Sequence, residues 1–196
     1  MTSTSDEMKS ELVEDPVLRM RSRFWRTAED GGEVLHVETW VDPGGGVTAH
    51  IHPAMEERFE VLEGRPSFLA GRAWQLAAPG QAVVVAPGVR HAYRNTGDEV
   101  AHITCQARPP STLQPFLEDA AALSRAGKIT RHALPKGLDA LLQAAVMAHA
   151  YRDMVVLLFP PLPPPAVQRV VMPLLARLGE RRGYRAGRMA EGRGAS

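Results

Sequence analysis

Between Arg23 and Pro110 hydrophobic and polar positions alternate in short runs, the period expected of strands with one face buried. Phe24 to Thr27 and Val34 to Val41 flank Glu29-Asp30-Gly31-Gly32 and read as a strand, a turn and a second strand. Further β-rich runs are expected at Thr48 to Ile51, Arg58 to Leu62, Ser67 to Leu69, Ala82 to Val85, His91 to Arg94 and Val100 to Ala107. Asp42-Pro43-Gly44-Gly45-Gly46, Glu63-Gly64, Pro79-Gly80, Pro87-Gly88 and Asn95-Thr96-Gly97-Asp98 separate them with residues that favour turns. Short strands punctuated this closely predict a β-sandwich or barrel, not a parallel α/β sheet.

After Arg108-Pro109-Pro110 the period changes. Leu113, Phe116, Leu117, Ala120 and Leu123 recur at helical spacing, which predicts a helix from Leu113 to Ala126 stopped by Gly127. A second helix is expected over Gly137 to Phe159, ended by a proline cluster, and a third over Ala166 to Leu178, closed by Gly179. The expected organisation is a flexible arm over 1–22, a β-barrel over 23–110, a helical extension over 111–179 and an Arg/Gly-rich, fraying tail over 180–196.

Composition narrows the function classes. The 196 residues carry 23 basic and 22 acidic side chains for a net charge of +1, so no global field favours nucleic acid, and no helix-turn-helix or basic reading segment is recognisable. Cys105 is the single cysteine, which excludes an intrachain disulfide and a Cys-based zinc or iron–sulfur site; it reads as a small buried hydrophobe. The polar, acidic start MTSTSDEMKSELVEDP lacks a signal-like apolar core, and a cytoplasmic location is expected. The apolar stretch Met154 to Val167 is broken by prolines and falls short of the roughly 20 residues that span a bilayer. The apolar helices are expected to cap a barrel end or cover a homodimer partner. Contact with a membrane interface, suggested by Arg177, Arg181, Arg182, Arg185, Arg188 and Arg193, is the weaker reading.

The chemistry concentrates in Gly44-Gly-Gly-Val-Thr-Ala-His50-Ile-His52-Pro-Ala-Met-Glu-Glu57-Arg-Phe59. Alternate side chains of a strand share a face, so His50 and His52 project together. Glu57 follows on the start of the next strand, Phe59 continues its face, and His91 adds a third imidazole from downstream. Three imidazoles and one carboxylate suit one divalent transition metal per chain, Fe(II) or Mn(II) being favoured and Ni(II), Co(II), Cu(II) or Zn(II) acceptable. Tyr93 shares strand parity with His91 and is a candidate catalytic residue beside Glu57. His102, Thr104 and Gln106 form a polar face on the last strand, which is expected to line a substrate pocket, with Ile103, Cys105 and Ala107 packing outside. Glu56 points away from Glu57 and reads as a surface carboxylate.

The segment Gly44, His50-Ile-His52, Glu57, Gly64 resembles the first motif of the cupin superfamily. Gly80, Pro87-Gly88, His91 and Asn95 resemble the second, with Ala86 where the family usually places a proline. The resemblance covers roughly Val34 to Pro110 and implies a mainly β, double-stranded β-helix (jelly roll) barrel carrying a C-terminal α-helical extension. It resembles small single-domain bacterial cupins of the quercetin-dioxygenase-like, cupin 2 conserved barrel type. It implies a non-haem metal-dependent oxygenase acting on a phenolic or enolisable small molecule. The alternative is a metal-dependent isomerase, cyclase or lyase, or a non-catalytic small-molecule-binding protein.

Overall fold

Ten strands precede the first helix, because the chain to Arg108 seldom goes more than about eight residues without turn chemistry. The computed structural model describes residues 9–130, 134–158 and 164–187. In order come β1 (Val13–Asp15), β2 (Met20–Glu29), β3 (Gly32–Val41), β4 (Gly46–Ile51), β5 (Glu56–Glu63), β6 (Ser67–Ala70), β7 (Ala73–Leu76), β8 (Ala82–Val85), β9 (His91–Arg94) and β10 (Ala101–Arg108). The extension then supplies α1 (Leu113–Arg125), α2 (Gly137–Ala150), β11 (Val156–Leu157) and α3 (Pro165–Arg181).

The strands form two antiparallel sheets, β1-β2-β3-β10-β5-β8 and β11-β4-β9-β6-β7, which makes the jelly roll a mainly β fold with helices appended. Their inward side chains share one core that includes Phe24, Leu35, Val37, Phe59, Val61, Phe68, Tyr93 and Ile103. Gly46 marks the entry to β4: its φ is +142°, and a Cβ there would lie 2.2 Å from the Tyr93 carbonyl oxygen. Only glycine lets β4 approach β9 this closely. Asn95 closes the far side of that junction. Its buried amide donates to the Val41 and Glu99 carbonyls at 2.8 and 2.7 Å and accepts from the Gly97 N–H at 3.0 Å, which fixes the turn after β9.

Four expectations are corrected. First, the flexible arm expected over residues 1–22 is, from Val13, a paired strand: Val13 to Asp15 lie against Met20 to Ser22, and Phe24 is fully buried. The charged residues of this segment hid a strand whose apolar positions, Val13 and Met20, are few. Residues 1–8 lie outside the described residues. Second, β7 was not expected; its residues are all exposed, so no buried face imposed an alternating pattern. Third, the helix expected over Gly137 to Phe159 ends at Ala150, where the Tyr151 carbonyl accepts the Met154 and Val155 N–H groups and turns the chain into β11. Phe159 lies outside the described residues. Val156 and Leu157 then pair with Ile51 and His50, so the extension contributes a strand to the barrel.

Fourth, the tail does not fray from Glu180. α3 runs to Arg181, Tyr184 is buried with its hydroxyl donating to Asp139, and the Gly187 N–H donates to Asp119 Oδ2 at 2.7 Å. Arg188 and Arg193 lie outside the described residues. α3 crosses α2 at close range, since a Cβ on Gly179 would meet Val146 Cγ2 at 2.7 Å. None of the described helices is long and apolar enough to cross a membrane.

Candidate metal centre

β4, β5 and β9 bring four side chains to one point inside the barrel. The alternation of β4 aims His50 and His52 the same way, and the pairing of His50 with His91 sets the third imidazole opposite. Their ring centroids lie 4.1 Å apart for His50 and His91, 4.9 Å for His50 and His52, and 5.2 Å for His52 and His91. Glu57 enters from β5, with Oε2 at 2.8 Å from His91 Nε2 and Oε1 at 3.7 Å from His52 Nε2. One ligand atom from each of the four lies within 4.8 Å of the others, so the group is able to hold a metal ion.

The outer hydrogen bonds decide which nitrogens face inward. Each Nδ1 meets a backbone carbonyl: His50 with Thr48 at 2.8 Å, His52 with Met154 at 2.8 Å, and His91 with Val89 at 2.9 Å. A carbonyl only accepts, so each Nδ1 carries a proton, and in the neutral ring each Nε2 presents a lone pair. His52 Nε2, His91 Nε2 and Glu57 Oε2 are buried without a geometrically acceptable hydrogen bond. The 2.8 Å between His91 Nε2 and Glu57 Oε2 is therefore a close approach of two ligand atoms, not a well-aligned bond. Buried lone pairs converging on one point, each ring held from behind, is what a bound cation requires.

The loop carrying His91 is tied to the same site. Gly88 N–H donates to the His52 carbonyl at 2.8 Å and Val89 N–H to the Ala86 carbonyl at 3.2 Å, which closes the turn around Pro87. Burial, helped by the neighbouring imidazoles of His91 and His52, lowers the His50 pKa to about 3 and keeps that ring neutral. Burial alone would raise Glu57, but the contact with His91 and the nearby imidazoles outweigh it and hold the carboxyl below its ordinary range. Burial would lower His91, and its Glu57 partner outweighs that and raises it.

The cluster opens into a cavity of about 950 Å³ between the barrel and the helices. Phe59 and Tyr93 line it, and they pack edge to face at 5.7 Å. The Tyr93 hydroxyl points to Met20 Sδ at 3.7 Å, and burial pushes its pKa upward, so it stays a neutral donor. Glu56 is exposed.

The polar face of β10 is a correction. His102, Thr104 and Gln106 do not line the cavity; Ile103 and Cys105 do. The apolar parity turns inward, with Ile103, Cys105 and Ala107 at 1%, 6% and 0% exposure. His102 instead stacks on Trp40 at 4.6 Å and meets Glu38 at 3.0 Å on the outer face. This inversion brings Cys105 into the site, its Sγ 3.8 Å from Glu57 Oε1. Burial, and then the Glu57 charge, push that thiol well up, so it remains protonated. Its apolar neighbours in the sequence were the available signal. The second residue that sequence reasoning missed is Met154, which acts through its backbone and leaves no side-chain signature.

Comparison with known proteins follows the same boundaries. The family model described as "Cupin domain" matches residues 37–106. No curated protein sequence matches the chain. Among solved structures, a Thermus thermophilus protein is 27% identical, with a TM-score of 0.37 over 38% of this chain and 71% of that one. The cupin domain of an XRE-family transcriptional regulator from Enterobacter cloacae is 21% identical, with a TM-score of 0.40 over 45% of this chain and 95% of that one. The polyketide cyclase RemF from Streptomyces resistomycificus is 24% identical, with a TM-score of 0.39 over 45% of this chain and 64% of that one.

Proposed function

We propose that the protein is a metal-dependent oxygenase acting on a phenolic or enolisable small molecule, because residues 37–106 match the cupin-domain model and surround a three-histidine, one-glutamate group able to hold a metal. The observation that carries the reading is the set of imidazoles whose Nδ1–H groups are all spent on backbone carbonyls, leaving Nε2 lone pairs directed at one buried point beside Glu57. A bound Fe(II) or Mn(II) would supply Lewis acidity and redox chemistry there.

The chain's own residues supply the rest. Three neutral imidazoles and one carboxylate leave a divalent site net positive, which favours a substrate oxygen that ionises on arrival. Glu57, held anionic, is placed to accept that proton. Tyr93, kept protonated by burial, can donate to a substrate oxygen, while Phe59 and Cys105 exclude water from the cluster's flank.

The second reading is a non-oxidative isomerase, cyclase or lyase. It is favoured by Glu57 and Tyr93 facing one cavity, because an anionic acceptor and a neutral donor suffice for proton transfer without redox chemistry. Metal replacement separates the two. Zinc has no accessible redox change. The oxygenase is expected to turn over with Fe(II) or Mn(II) in air and to be silent with Zn(II), read as substrate loss with and without oxygen. Turnover that persists anaerobically with zinc rejects oxygenation in favour of proton-transfer chemistry. Loss of neither substrate nor oxygen with any metal, despite measured substrate binding, leaves a binding protein.

The reading includes a homodimer. β7 and β8 are outer strands of the two sheets and expose Trp74, Leu76 and Val84 at 42%, 61% and 52%, a combination that a second copy can cover. Light scattering is expected to give at least twice the mass of the chain. A strictly monomeric mass at high concentration removes this part of the proposal.

A further inference from the structure

The cavity is far larger than the chemistry at the cluster requires, and most of its excess is built by the helical extension. Its roof comes from Phe116 and Leu117 of α1, Leu141 and Met147 of α2, and Met172 of α3. At about 30 Å³ per non-hydrogen atom, the share of a water molecule in the liquid, about 950 Å³ has room for roughly 30 such atoms. A single-ring phenol would fill less than a third of that and leave aliphatic walls uncovered. Alanines create the room: Ala144 and Ala148, one turn apart on α2, and Ala120 on α1 all face the cavity. Exposed residues that also line a cavity mark its mouth, and Arg152 and Arg169 do so here, with Asp153 beside Arg152 at 3.6 Å.

From the juxtaposition of a buried His50–His52–Glu57–His91 group with an apolar chamber walled by α1, α2 and α3, we infer that the substrate is an amphiphile. Its ionisable oxygen sits at the cluster, and its alkyl or polycyclic body fills the chamber. Ala144 and Ala148 set the length of body that the chamber accepts. Arg169, together with Arg152 beside Asp153, leaves the mouth net positive, which favours entry of an anionic or readily ionised molecule. The inference rests on the cluster being the reacting end, as proposed above, and it adds what the rest of the molecule must be.

The test uses full-length, metal-loaded protein and displacement of 1-anilinonaphthalene-8-sulfonate, bound at one saturable site, by 4-alkylphenols from 4-methylphenol to 4-octylphenol. Affinity is expected to rise about fourfold per added methylene, because each buried CH₂ leaves water for an apolar wall. In Ala148→Trp and Ala144→Trp the rise is expected to stop at a shorter chain. Should either variant fail to fold by circular dichroism, Ala148→Leu narrows the same face with less bulk. A series flat with chain length, or unchanged cut-offs in folded variants, overturns the chamber assignment.

Repeating the series on His50→Ala/His91→Ala separates the two readings. Chain-length dependence that survives while every affinity falls by one common factor supports both. Chain-length dependence with no common fall keeps the chamber and removes the cluster as the head-group site. A common fall without chain-length dependence does the reverse.

Discussion

Replacing His50 and His91 together by alanine is expected to reduce bound divalent metal from about one ion per chain to none, while the barrel stays folded. The two rings face each other at 4.1 Å across paired positions of β4 and β9, so the double change deletes opposite sides of the ligand set. His52 and Glu57 would remain, and two donors do not hold a divalent ion against water. His91→Ala alone is expected to weaken binding by more than about a hundredfold, beyond the roughly 10- to 100-fold usual for loss of an outer partner. The matching control is His102→Ala. That ring stacks on Trp40 outside the barrel, so metal content should not change. Elemental analysis of protein purified without chelator, with circular dichroism alongside, reads both results. Full metal occupancy in the double mutant eliminates the assignment.

The same site has an expected pH dependence. Metal binding requires each imidazole to be neutral. His50 already is near pH 7, because burial lowers its pKa to about 3, whereas the Glu57 contact raises His91 and keeps a proton on it to higher pH than usual. Binding must displace that proton, so affinity should increase as pH rises through the His91 titration. Calorimetry in buffers of different ionisation enthalpy reports the released proton directly.

The ligand set was legible in the sequence because strand periodicity has one alternative per face. That puts His50 and His52 on one face; the resemblance of the spacing to the cupin motifs added Glu57 and His91, and the structure brings all four together. The same rule misled on β10. One face of that strand is buried in the core and the other is half-buried, with His102, Thr104 and Gln106 beside Trp40, Glu38 and His36 of β3, so a polar run did not identify the pocket side. The structure turns Ile103 and Cys105, not the polar parity, toward the cavity. The contribution of the extension was not legible at all. β11 is two residues long, and the Met154 carbonyl that orients His52 is a backbone atom that any residue would offer.

That carbonyl leads to the second large effect, which is expected far from the metal. Asp119, buried on α1, accepts from the Tyr151 hydroxyl at 2.8 Å and from the Gly187 N–H at 2.7 Å through one carboxylate oxygen. The Tyr151 carbonyl in turn holds the Met154 and Val155 N–H groups at 2.9 and 3.0 Å, and the Met154 carbonyl receives the Nδ1–H of His52. Asp119→Ala leaves a buried hydroxyl and an amide without their acceptor, which is expected to cost about 1–3 kcal/mol for each group not rescued by water. The turn over residues 151–154 then loses its anchor. His52 becomes free to rotate, and metal affinity should fall by about tenfold, the lower end of the range for outer-shell partners. Asp119→Asn keeps an acceptor oxygen and is expected to recover most of both losses. Denaturant midpoints measure the first effect and competition with a metal chelator the second. A stability loss in Asp119→Ala with unchanged metal affinity would show that the extension only covers the barrel and does not hold His52 in place.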